Sequence, residues 1–73
     1  RGHPNRGLRA LELEGDELPA YDAELTLDGK VVGRVTSAVR DPAGGVAALA
    51  YVRREVPAGA VLGLGPRRAR QLD

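Results

Sequence analysis

The chain has 73 residues, enough for one domain, and a domain this short buries only roughly 60% of the surface its unfolded chain exposes. It has no cysteine, so no disulfide or thiolate-ligated metal can staple it, and its one histidine, His3, falls far short of the ligand set of a structural zinc. Eleven basic residues stand against ten acidic ones, without the basic excess of a dedicated nucleic-acid binder.

In chain order, residues 1–7 carry two glycines and a proline without periodicity and read as a linker from an upstream domain; residues 8–73 form the domain proper. The first residue is Arg rather than Met, so a piece of a longer protein is expected. Leu8-Arg9-Ala10-Leu11-Glu12-Leu13-Glu14 alternates, with Leu11 and Leu13 on one side and Glu12 and Glu14 on the other, the pattern of a half-buried strand. Gly15-Asp16 ends it, and Pro19 makes residues 17–20 a loop. Residues 23–27 alternate again. Asp28-Gly29 follows, the strongest short hairpin signal, because a type I′ turn needs positive φ at both central residues.

The return arm, residues 30–40, puts Val31, Val35 and Val39 on one face, with Gly33 and Ser37 between them. Val32, Arg34, Thr36, Ala38 and Arg40 occupy the other, and a bend or bulge is expected at Gly33. Asp41-Pro42-Ala43-Gly44-Gly45 is a turn. Residues 46–54 are apolar up to Val52; their alanines suit a helix, but the flanking turns favour a strand, buried on both faces. Pro57-Ala58-Gly59 is another turn, residues 60–64 a short strand, and Arg67, Arg68 and Arg70 a basic tail able to form an edge strand. The fold expected is all-β, a small five- to six-stranded antiparallel barrel. No apolar run approaches the ~20 residues of a membrane-spanning helix, and no signal peptide is recognisable. A cytoplasmic location is the default expectation.

No catalytic constellation is legible. Ser37 is the only serine, and His3 is far from it in sequence. Glu12 and Glu14 lie on a polar strand face, and nothing in the sequence implies the pocket that acid–base work needs. Gly63-Leu64-Gly65 lacks the helix and third glycine of a dinucleotide-binding loop. The arginines fall in clusters: Arg34 with Arg40, Arg53 with Arg54, and Arg67, Arg68 and Arg70. Guanidinium groups suit carboxylates and phosphates, which makes Arg34 and Arg40 the candidates for contact with a ligand. Tyr21 and Tyr51 are the only aromatics, too few for a stacking platform.

The block Gly29-Lys30-Val31-Val32-Gly33-Arg34-Val35-Thr36-Ser37, a turn with Pro42, then Ala48-Leu49-Ala50-Tyr51-Val52-Arg53-Arg54 resembles the C-terminal barrel of the glycine-cleavage T-protein (aminomethyltransferase) family. The opening Arg1-Gly2-His3-Pro4-Asn5-Arg6-Gly7-Leu8-Arg9 is similar to the segment after the signature motif of its YgfZ-like folate-binding branch. The resemblance covers nearly the whole chain. It implies a parent of three domains around a channel for tetrahydrofolate. In the YgfZ-like branch that parent serves iron–sulfur cluster assembly or repair, with effects on tRNA-modifying enzymes. The branch motif, K-G-C-Y-x-G-Q-E, would lie before Arg1, so the chain would be a non-catalytic barrel closing one side of the channel. Gly33, Thr36 and Ser37 match the family block as structural or domain-interface positions, and the partners implied are the upstream domains. An exposed apolar face is expected where they dock. The alternatives are the same domain of a true aminomethyltransferase, and a small RNA- or protein-binding barrel.

Overall fold

The computed structural model describes residues 6–72. His3 and most of the expected linker lie outside them. Six strands follow in order: β1 (Arg6–Leu13), β2 (Glu24–Leu27), β3 (Lys30–Arg40), β4 (Val46–Arg53), β5 (Val61–Leu64) and β6 (Arg67–Gln71). They close into an antiparallel barrel in the order β1-β4-β3-β2-β5-β6. The described residues contain no helix, and so none long and apolar enough to cross a membrane. Arg6 and Gly7, expected in the linker, are the first residues of β1 and pair with Arg53 and Val52.

The barrel interior is a packed core. Leu11 and Leu13, Leu25, Val35, Val46, Val52 and Leu62 are almost fully enclosed, with Ala48, Ala50 and Ala69 filling the narrow places between them. A barrel of this size has room inside for side chains only. The β1 alternation is as expected, and so is the Asp28-Gly29 turn, with φ of 53° and 82°.

Three expectations are corrected. The first is the face of β3. Against β2 the register slips between Leu25 and Thr26, leaving Val32 as the extra residue; against β4 it slips between Val35 and Ser37, leaving Thr36 as the extra residue. Each bulge reverses the alternation. Val31 and Val39 therefore face outward, 43% and 63% exposed, and only Val35 of the three is in the core. The second is β4, which is buried on one face, not two. Val46, Ala48, Ala50 and Val52 point in, while Ala47, Leu49, Tyr51 and Arg53 do not. The third is β6, which is not an edge: it pairs with both β1 and β5.

Both mouths of the barrel are closed by arginine. At one end Arg9 occupies an inward position of β1. Its Nη1 donates to the Val56 carbonyl (2.9 Å) and to Gln71 Oε1 (2.6 Å), and its Nη2 donates to the carbonyls of Arg53 (3.2 Å) and Arg54 (3.4 Å). Gln71 Nε2 donates in turn to the carbonyls of Pro57 (2.8 Å) and Ala60 (2.6 Å). This pins the β4–β5 loop, with Val56 buried beneath it. At the other end Arg67 Nε donates to the Glu14 carbonyl (2.6 Å) and Arg40 Nε to the Asp16 carbonyl (3.0 Å), tying down the start of the β1–β2 loop.

Candidate functional site

Gly33, Thr36 and Ser37 sit at the seam between β3 and β4. A Cβ on Gly33 would lie 2.5 Å from the Tyr51 carbonyl oxygen and 3.1 Å from Val52 Cγ2, so the bare backbone is what lets the two strands approach there. Thr36, the extra residue of the bulge, donates its hydroxyl to the Leu49 carbonyl (3.1 Å). Ser37 is exposed on the outer side, opposite Leu49.

Arg34 and Arg40 do not share a face, because the Thr36 bulge lies between them. Arg34 stands on the outer side, opposite Tyr51, and its Nη groups reach Asp22 (3.4 Å) and Glu24 (3.3 Å). Arg40 stands six residues on, at the mouth held to Asp16. The two are therefore not brought together into one site. Glu12 is ion-paired with Arg70, and Glu14 Oε1 accepts from the Arg68 backbone N–H (3.3 Å), so these two carboxylates are engaged in strand ties. Among the described residues no three of His, Cys, Asp and Glu gather in metal-binding geometry.

What the barrel does present is an apolar outer face across β1, β4 and β3. The register sets Ala10, Leu49 and Ser37 in one row, and Glu12, Ala47 and Val39 in the next. Leu72 joins them, its N–H donating to the Ala10 carbonyl (2.9 Å). Between these residues runs a shallow groove of about 250 Å³. Leu8, Val39, Leu49 and Leu72 are each at least 40% exposed. Small side chains at positions 10, 37 and 47 leave the groove open, and the two Leu and Val39 rim it. The Val39 contribution depends on the Thr36 bulge, because unbroken alternation would keep Val39 on the face of Val35.

Arg9 and Gln71, which organise one barrel end, were not foreseen from sequence. An isolated arginine in an alternating strand reads as solvent-facing, although its two-residue spacing from Leu11 and Leu13 puts it on their face. No protein-family model matches the sequence, and no curated protein matches it either.

Proposed function

We propose that this chain is an accessory β-barrel domain, non-catalytic by itself, of a folate-binding protein of the YgfZ-like type. It would form one wall of the folate channel and dock against the upstream domains through the outer face of β1, β4 and β3. The observation that carries this reading is that face: exposed leucines and a valine around a groove of small side chains, on a barrel whose own interior is full. The resemblance of the sequence block around Gly33, Thr36 and Ser37 is what suggests this family. Tetrahydrofolate belongs to the parent, and the iron–sulfur role follows only with the YgfZ-like branch.

An RNA-binding barrel is less well supported. Eleven basic residues are matched by ten acidic ones, and Arg34, Arg53 and Arg70 each have a carboxylate beside them, which breaks up any continuous basic track along a nucleic-acid backbone.

The test is calorimetric titration of the full-length parent with tetrahydrofolate. Saturable binding that Leu49→Asp weakens supports the assignment. A parent that binds no folate with this face intact ends it. The coding sequence ahead of Arg1 separates the branches: the K-G-C-Y-x-G-Q-E motif marks the YgfZ-like one, and a folate-site carboxylate without that cysteine marks an aminomethyltransferase.

A further inference from the structure

One pair of residues contradicts ordinary strand pairing. Arg6 of β1 lies directly opposite Arg53 of β4. Ala10 turns its carbonyl to Leu72, away from β4. By the two-residue period of a strand, Leu8 and Arg6 turn theirs away as well. Arg6 and Arg53 are thus a non-hydrogen-bonded pair, the kind whose side chains come closest. Like charges at such a position are destabilising. Arg34 is the diagonal neighbour on the same outer side, since it faces Tyr51, two residues before Arg53. The three arginines line one cleft of about 340 Å³, with Gly33, Val31 and Val32 as the rest of its wall.

The donors are partly held and partly free. Asp22 and Glu24 take the two Nη groups of Arg34, and Glu55 takes Nε of Arg53 at 3.0 Å. These carboxylates fix the guanidinium planes. Nε of Arg34 and both Nη groups of Arg53 take no part in these ion pairs, and Arg6 has no carboxylate within ion-pair distance among the described residues. We propose that this cleft is an anion site for a phosphate monoester, its phosphoryl oxygens bridging Arg6, Arg53 and Arg34. A phosphoryl group offers three terminal oxygens to three planar donors, where a single carboxylate saturates one. The volume sits at the lower end of ligand pockets, about 300–1,000 Å³, which leaves room for a small organic group on the phosphate. Glu55 already offsets the charge of Arg53, so the anion would supply the counter-charge that Arg6 lacks. The site stands apart from the apolar groove and does not depend on the folate reading.

The experiment is a titration of the chain, at constant ionic strength in chloride, with inorganic phosphate and with glycerol 2-phosphate. It is followed by the arginine Nε–Hε resonances of Arg34 and Arg53 and by the melting temperature. Saturable shifts, with the monoester binding more tightly than phosphate, are expected. Arg6→Gln and Arg53→Lys each weaken binding about tenfold, and Arg68→Gln, outside the cleft, leaves it unchanged. Without ligand, Arg6→Gln melts no lower than the original chain, because it removes a repulsion, so its lost response is not unfolding. Shifts that stay linear in phosphate, or equal binding by Arg6→Gln, overturn the proposal. So does a single-stranded RNA that binds more than tenfold tighter than the monoester, which would make the cleft part of a nucleic-acid surface.

Discussion

Two glycines in strands show how a single atom decides stability here. At Gly33 an added Cβ meets the Tyr51 carbonyl oxygen at 2.5 Å, a backbone atom that cannot swing aside. Gly33→Ala therefore costs about 2–3 kcal/mol through overpacking, read from the denaturation midpoint. Gly7, in β1, has nothing within 4 Å of the same position. Gly7→Ala is expected to be neutral or stabilising by up to about 1 kcal/mol, because it restricts only the unfolded chain. Equal losses at both sites would show that strand flexibility, not close approach, is what matters. Glu55 gives a second prediction at this scale. Its own backbone N–H, and then Arg53, hold its carboxyl below the ordinary glutamate range. A depressed folded-state pKa contributes stability above the unfolded value and loses it as pH falls through the folded value. The carboxyl is fully exposed, so the effect is visible in its titration rather than in the melting curve. Arg53→Gln moves the Glu55 carboxyl resonance midpoint upward, toward the ordinary value, and an unmoved midpoint would assign the whole shift to the backbone.

Among the elements, the Asp28-Gly29 hairpin and the alternation of β1 were legible because each has a local cause: positive φ in the turn, period two in the strand. The two β3 bulges were not. Val32, beside the Gly33 where a bend or bulge was expected, and Thr36 carry no signature of an extra residue, so alternation put Val31, Val35 and Val39 on one face and Arg34 and Arg40 on the other. The arginine at Arg9 was missed for a related reason. Its acceptors are carbonyls of residues 53, 54 and 56, more than forty positions away, which no local pattern announces. Those bonds make the β4–β5 loop an element held by one side chain. Arg9→Ala removes partly buried charge-assisted bonds to the Val56 carbonyl and Gln71, with exposed ones to the carbonyls of Arg53 and Arg54, and should cost about 2–3 kcal/mol. Hydrogen exchange at the loop amides of Val56 and Ala60 should rise with it, since their turn loses its anchor. A loss of stability with unchanged loop protection would instead place the Arg9 contribution in strand packing.

For the whole molecule, the contrast is between two apolar populations with opposite predicted responses. Leu11 and Leu25 have no exposed surface, and each is surrounded by a core that a chain of this length has little means to rebuild. Leu11→Ala should cost about 2–5 kcal/mol, which is a large share of the stability of any small domain. Leu49 and Val39 are 40% and 63% exposed on the outer sheet face, and substitution there touches no core contact. Leu49→Asp should change the denaturation midpoint of the chain by no more than about 0.5 kcal/mol. If the face is a docking surface, the same change shows its full effect only in the assembled parent, where a buried unpaired carboxylate would loosen the barrel from its neighbours and lower the melting temperature of the parent. A Leu49→Asp chain that loses several kcal/mol alone would mean the outer leucines serve the barrel's own cohesion. The docking reading would then lose its only structural support, while the arginine cleft, which lies beyond the groove on the same sheet, would be untouched.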